Sequence, residues 1–147
     1  MTRSALGVLL VRSALLGVAA GSRASLGFAG PALSDPRRGP VATSLAVLGV
    51  LGELTGDKLT TGSRLDPPGP QSRALSGAWG AATLARRSGR AVWLPAATAA
   101  AFSVVGIWGG AAWRAGSAVY GPDLPAALVE DAVALTCATL ACRGSAR

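Results

Sequence analysis

Apolar residues dominate this chain in five runs, which are separated by charged or turn-forming residues. The runs cover residues 4–30, 41–56, 74–85, 91–113 and 124–142. The run 91–113 is about 34 Å long as a helix, which is enough to cross a hydrocarbon core of about 30 Å. The pattern predicts an all-α integral membrane bundle of about five short helices, forming a single transmembrane domain over residues 1–147.

Three of the runs raise questions of their own. Run 4–30 resembles a signal peptide near its start, but Arg12 lies within the would-be apolar core and favours an uncleaved helix. The step Gly21-Ser22-Arg23 predicts a break or bend, with Arg23 either snorkelling to an interface or turned into the bundle. Run 41–56 is about 24 Å long as a helix, so its charged end is expected near an interface or in a wet cavity. Run 74–85 is only about 18 Å long. It either crosses with its flanking arginines snorkelling or is re-entrant.

The composition favours a membrane bundle over a soluble one. Half of the chain is hydrophobic and 14% is charged, whereas about a quarter of a soluble domain is charged. Small residues allow transmembrane helices to approach closely, and glycine occurs 20 times. Three GxxxG pairs predict helix association within the chain or in a homo-oligomer: Gly17 with Gly21, Gly52 with Gly56, and Gly106 with Gly110.

The net charge of +7 comes from basic residues scattered between apolar runs. Such scattering indicates interfacial anchoring in a lipid bilayer rather than a nucleic-acid partner. Five crossings would place the two termini on opposite sides. The basic residues then favour a cytoplasmic C-terminus in a multi-pass protein of a bacterial cytoplasmic membrane.

Common catalytic chemistry has little support in the sequence. Histidine is absent, which removes the usual general base and the commonest metal ligand. We find no credible nucleophile, phosphate-loop or dinucleotide motif, so we predict no cofactor and favour a non-enzymatic role. A carboxylate site would suit a hard cation, but no ligand motif supports a metal. Cys137 and Cys142 are read as small apolar fillers.

Charged residues at the end of the second run are the main candidates for function. Glu53, Asp57 and Lys58 fall within two helical turns, and Arg64 follows in a polar loop. Intramembrane charges are costly unless they are paired or functional. The full set of polar-site candidates is Arg23, Glu53, Asp57, Lys58, Arg64, Arg114, Glu130 and Asp131.

Two interpretations of these charges stay open. One is a polar site near one membrane face for an ion or small polar solute, with Lys58 and Arg114 among the partners of the acids. The other is a lattice of salt bridges that fixes helix register. A weak similarity between GSRAS with GELTGDK and WRAGS with VEDAVAL also predicts two pseudo-repeated helix pairs. These would form an inverted repeat, as in many transporters.

These same motifs carry a family resemblance. GSRAS, GELTGDKLTTGSRLDPPG, GAWGAATLARR and VEDAVAL are similar to the bacterial membrane proteins of the domain-of-unknown-function 4126 group. That group shows a Gly-x-Arg step, an E-x-x-x-D-K pattern and a late acidic pair. The resemblance implies a small integral membrane protein and no particular activity.

Three functional classes therefore remain from the sequence. The first is a small transporter or channel-like protein that handles an ion or polar solute. The second is a non-catalytic membrane scaffold or partner subunit. The third is a membrane enzyme acting on a lipid or isoprenoid phosphate, with Arg23, Arg64 and Arg114 binding phosphate; it lacks the aspartate-rich motif that Mg²⁺ binding would need.

Overall fold

The computed structural model of the chain describes residues 3–59 and 65–143, without the side chains of residues 3, 4 and 57–59. These residues form an all-helical bundle with no strand. Its six helices are α1 (Arg3–Ser22), α2 (Ala24–Leu33), α3 (Pro40–Leu59), α4 (Gly69–Arg87), α5 (Trp93–Ser117) and α6 (Asp123–Cys142).

The first apolar run is two helices rather than one. Arg23 has an extended backbone conformation, with φ −140° and ψ 107°, and separates α1 from α2. Gly30 of α2 lies against Leu16 of α1, a contact that is reached only if α2 turns back along α1. The two helices therefore form a hairpin, and we call residues 21–25 the hairpin tip.

The other four helices surround this hairpin and run alternately down and up. Gly17 and Gly21 of α1 contact Ala99 and Ser103 of α5, in the same order along both helices, so α1 and α5 are parallel. The hydrogen bond from Arg12 Nε to the carbonyl oxygen of residue 141, together with the pairing of residues 23 and 131, makes α6 antiparallel to α1. By the same reasoning α3 is parallel to α1, and α4 is antiparallel to it.

Glycines allow the closest helix contacts. A Cβ added to Gly17 would overlap the carbonyl oxygen of Ala99, and one added to Gly21 would overlap that of Ser103. Gly106 approaches the backbone of α1 equally closely. In contrast, nothing lies within 4 Å of the corresponding positions at Gly52 and Gly56 of α3.

The bundle exposes large apolar side chains on its outer faces and buries several polar ones. The largest fully buried side chains include Arg23, Ser13, Ser76 and Ser103 beside Leu16 and Leu84. Large apolar side chains such as Leu48 are exposed on the outer faces of the bundle. Soluble proteins rarely expose continuous apolar faces of this extent, so this distribution is typical of a bundle surrounded by lipid.

Three helices of the described chain are long and apolar enough to cross a membrane. They are Ala5–Ser22, Trp93–Ser117 and Asp123–Cys142. Two shorter apolar helices, Ala24–Leu33 and Pro40–Gly56, accompany them. This composition agrees with the predicted membrane class.

The hairpin tip lies midway between two charged ends of the bundle. Arg12 precedes Arg23 by about 16 Å along α1, from a rise of about 1.5 Å per residue. Arg114 lies about 16 Å beyond Ser103, the α5 neighbour of the tip. We call the end with Arg12 the basic end and the end with Arg114 the opposite end.

The hairpin corrects three expectations. The described chain has six helices rather than five, because the first run breaks at Arg23. The N-terminal part of α1 and the connection between α2 and α3 lie at the same end of the bundle rather than at opposite ends. The expected inverted repeat is not found, since α1 and α5 run in the same direction.

Candidate functional site

The hairpin tip creates two helix ends inside the protein. Ser22 and Arg23 are buried, so the last carbonyl groups of α1 and the first N–H groups of α2 are largely shielded from solvent. Buried backbone groups without partners are costly, and helix ends leave several of them. Charged side chains from the surrounding helices provide the partners.

Glu53 of α3 caps the start of α2. Its Oε1 accepts a hydrogen bond from Ala24 N at 2.8 Å, and its Oε2 accepts one from Ser25 N at 2.7 Å. The N-terminus of a helix carries a partial positive charge, which favours a carboxylate at this position. Both oxygens of Glu53 thus hold the backbone of the hairpin.

Arg73 of α4 caps the end of α1 in the complementary way. Its Nη1 donates to the carbonyl oxygens of Ser22 at 2.6 Å and Gly21 at 2.9 Å. The C-terminus of a helix favours a cation. Arg73 Nη2 is also 3.7 Å from Glu53 Oε1, so the two caps form a weak ion pair across the tip.

Arg23 itself is fully buried and reaches α6. Its Nε donates to Asp131 Oδ1 at 2.8 Å, its Nη2 is 2.6 Å from the same oxygen, and its Nη1 donates to the Ser22 carbonyl oxygen at 3.2 Å. Asp131 is 6% exposed. Of the two alternatives predicted for Arg23, the structure shows the one in which it turns into the bundle.

Glu130 precedes Asp131 and lines a cavity. It is 6% exposed, and the cavity has a volume of about 360 Å³ between α1, α5 and α6. The rest of the described lining is mostly apolar: Val18, Ser22, Val105, Gly106, Gly109, Gly110, Trp113, Val129 and Val133. A carboxylate in such surroundings attracts a positive charge.

We call the charged group around the hairpin the tip cluster: Arg23, Glu53, Arg73, Glu130 and Asp131. It contains two arginines and three acids. Because charges interact strongly where the dielectric constant is low, each of these side chains depends on the opposite charges and helix ends beside it.

The remaining sequence candidates lie elsewhere. Arg114 pairs with Asp123 at the opposite end, with Nε 3.0 Å from Oδ1 and Nη2 close to Oδ2. The side chains of Asp57 and Lys58, and the whole of Arg64, lie outside the described residues. The structure therefore brings together Arg23, Glu53 and Asp131, with Glu130 adjacent to Asp131.

Arg73 is the member of the tip cluster that the sequence did not predict. It flanks the apolar run 74–85, where an arginine is expected to snorkel to the interface if the run crosses the membrane. Helical spacing nevertheless places Arg73 on the same face as Gly77, Gly80 and Leu84, and that face is buried. The signal in the sequence that could have predicted a buried Arg73 was therefore its position on the same helix face as a row of small residues.

The tip cluster offers little for a bound metal. Among the residues that the structure describes, no group of three His, Cys, Asp or Glu side chains is arranged to hold a metal ion. Cys137 and Cys142 are both free thiols. What the cluster can do chemically is hold paired charges inside the bundle and stabilise the two helix ends of the hairpin tip.

Comparison with known proteins provides no relative from which a role could be transferred. No family model matches the chain, and no significant match is found among curated proteins or solved structures.

Proposed function

We propose that this chain is a multi-pass protein of a bacterial cytoplasmic membrane that handles an ion or small polar solute at the tip cluster. The observation that carries the proposal is the α1–α2 hairpin, whose charged tip lies about 16 Å from either charged end of the bundle. In a hydrocarbon core of about 30 Å, that position is close to the membrane midplane.

Discontinuous helices near the midplane support this role on physical grounds. Irregular backbone is tolerated at membrane depth where it is buried in protein or lines a cavity. Transporters use broken helices in this way to place helix ends beside their substrate and coupling ion. Here Val18 and Ser22 of the broken helix line the cavity that also contains Glu130.

A scaffold or partner-subunit role is the alternative, and one observation favours it. Glu53 and Arg73 are engaged with backbone groups of the hairpin, as expected for residues that only hold the fold. Glu53 and Arg73 therefore hold the hairpin under either role. Glu130 distinguishes the two roles, because ion or solute handling requires its carboxylate beside the cavity.

The test is transport by the purified protein in liposomes of phosphatidylethanolamine and phosphatidylglycerol. We expect protein-dependent movement of protons, sodium or a small ammonium ion under an imposed potential. Glu130→Gln should reduce this flux at least tenfold with little loss of thermal stability, since the amide keeps the size of the side chain. Glu53→Gln should instead lower thermal stability, because it weakens the charged cap of α2 by about 1–3 kcal/mol.

Asp66→Asn is the matched control, because Asp66 is an exposed acid in the connection between α3 and α4. It should change neither flux nor stability. Absence of protein-dependent flux for all three probes would contradict the proposal and leave the scaffold role. Equal flux in wild type and Glu130→Gln would exclude Glu130 from it.

Two further predictions remain attached to this proposal. The resemblance to the domain-of-unknown-function 4126 group agrees with the membrane class and adds no activity. Association of copies is supported by Gly52 of α3, which is exposed and where an added Cβ meets nothing within 4 Å. Crosslinking in native membranes would test for such an oligomer.

A further inference from the structure

An apolar groove on the outer surface of the bundle runs along α2. Residues of α2 form its floor, and α3 and α6 form its walls, because α3 packs mainly against α2 and leaves a gap to α6. Ala29 and Ala138 are buried at the bottom of the groove, whereas Val47 and Leu51 on its rim are 40% and 53% exposed. The groove has a volume of about 400 Å³. Since its open side faces lipid, it admits an acyl chain from the bilayer rather than a solute from water.

The length of the groove is close to the depth of one leaflet. Its lining begins at Leu26, near the hairpin tip, and ends at Ser34, at the basic end. These residues are about 12 Å apart along α2, from a rise of about 1.5 Å per residue. One leaflet contributes about 15 Å to a hydrocarbon core of about 30 Å. The groove therefore covers most of the depth that an acyl chain occupies on the side of the basic end.

The basic end of the groove carries a positive charge. Arg143 lines the groove there, is exposed, and makes no ion pair with any residue that the structure describes. Arg87 also reaches the groove, with its Nη1 3.4 Å from Ser34 Oγ, but its Nη2 pairs with Asp35. Basic pockets between transmembrane helices bind anionic lipid head groups, and a guanidinium matches the geometry of a phosphate. Arg143 is therefore placed to bind the phosphate of a lipid whose chain lies in the groove.

We propose that the groove between α2, α3 and α6 binds one acyl chain of an anionic phospholipid, with the lipid phosphate on Arg143. The charges at this end select among phospholipids. Among the described residues Asp35 is the one acid at the basic end, and it is paired with Arg87. The ammonium group of a zwitterionic lipid would thus lie beside arginine without an acid to bind it, whereas an anionic lipid brings no such group. The inference concerns a lipid-binding surface and does not depend on transport at the tip cluster.

The test is native mass spectrometry of the detergent-purified full chain, titrated with phosphatidylglycerol or with phosphatidylethanolamine that has the same acyl chains. We expect the wild type to bind phosphatidylglycerol about fivefold more tightly, the effect of one arginine near an anionic head group. Arg143→Gln should abolish this preference, because the amide carries no charge. Arg37→Gln is the matched control, since Arg37 is exposed at the same end but does not line the groove. It should leave the preference unchanged.

Val47→Trp tests the groove while leaving every charge in place. Val47 lines the groove from α3, so an indole there should take the place of the acyl chain and weaken the binding of both lipids. Leu48→Trp is the control for this variant. Leu48 is the next residue of α3 and is 63% exposed, but it does not line the groove, so binding should be unchanged. Equal binding by the two tryptophan variants would overturn the assignment of the groove.

The remaining outcomes are equally distinct. Equal affinity of the wild type for the two lipids would overturn the anionic lipid, and equal losses in Arg143→Gln and Arg37→Gln would indicate a diffuse attraction to the whole basic end instead of a site. Glycerol 3-phosphate has the phosphate without acyl chains, so its displacement of the lipid at equal concentration would contradict the role of the groove. Lipid preference without flux of any probe in liposomes would support this inference and contradict transport, whereas flux without lipid preference would do the reverse.

Discussion

Arginine does at individual positions in this protein what lysine could not do as well. Arg12, Arg73 and Arg87 each donate to carbonyl oxygens in the last turn of a different helix. Arg23 combines a bond to Asp131 with one to the carbonyl oxygen of Ser22 at the end of α1. A planar guanidinium presents several donors in fixed directions, whereas an ammonium is a single strongly hydrated charge. The four arginines that bind helix ends inside the bundle are therefore positions where lysine would satisfy fewer carbonyl groups.

The Arg23–Asp131 pair leads to a prediction from a double-mutant cycle. Arg23→Met and Asp131→Leu should each lower the free energy of unfolding by about 3–5 kcal/mol, because each leaves a buried charge without its partner. The double variant should lose less than either single variant, since an apolar pair of similar size needs no desolvation of charge. Equilibrium unfolding in mixed micelles of dodecyl maltoside and SDS measures all three.

Arg86→Met is the control for this cycle, because Arg86 is exposed at the end of α4. It should change the free energy of unfolding by no more than about 0.5 kcal/mol. Additive losses in the double variant would show that Arg23 and Asp131 do not act as a pair.

At the scale of helices, the apolar pattern predicted the elements well and their directions poorly. Runs of apolar residues locate α3, α5 and α6 to within a few residues, because burial in lipid or protein demands apolar length. The step Gly21-Ser22-Arg23 predicts a break, but no residue within GSRAS indicates that α2 turns back along α1. That reversal depends on Glu53 and Arg73, which are distant in sequence and bind the two new helix ends.

The same limit applies to the candidate site. Acids within apolar runs are conspicuous in a sequence. The free-energy cost of burying a charge in a membrane was enough to identify Glu53, Glu130 and Asp131 as candidates. The basic partners of these acids could not be identified in the same way, because the choice between Lys58, Arg114 and Arg73 depends on helix packing. The structure places Arg73 on Glu53 and Arg114 on Asp123.

Helix contacts at glycine give a second prediction. Gly17→Ala and Gly21→Ala should each destabilise the bundle by about 1–3 kcal/mol, because the added methyl group overlaps the backbone of α5. Gly52→Ala and Gly56→Ala in α3 should be neutral or slightly stabilising, since nothing lies near either position and alanine favours helix. Thermal unfolding in detergent compares the four variants. Equal losses at all four positions would mean that the α1–α5 contact has no special role.

At the scale of the whole molecule, the hairpin changes the distribution of charge between the two ends. Among the described residues, the basic end carries seven arginines and one acid, Asp35: the arginines are Arg12, Arg37, Arg38, Arg86, Arg87, Arg90 and Arg143. The opposite end carries Arg114 with Asp66 and Asp123. The five-helix interpretation had divided the basic residues almost evenly between the two sides. With α2 folded back, the asymmetry is large, and the positive-inside rule assigns the basic end to the cytoplasm.

The orientation of the chain is therefore a sharp prediction. Since α1 enters and α2 returns, the N-terminus and the C-terminus should both be cytoplasmic. Fusions of green fluorescent protein to either end should fluoresce, and fusions of alkaline phosphatase to either end should be inactive.

Cysteine labelling tests the same orientation. Tyr120 is 92% exposed at the opposite end, so the variant Tyr120→Cys should react with a membrane-impermeant maleimide in intact cells. Arg38→Cys at the basic end should react only after the cells are opened, and the wild type measures any background from Cys137 and Cys142. Termini on opposite sides would contradict the hairpin itself, because a first run that crosses the membrane once cannot place Gly30 against Leu16.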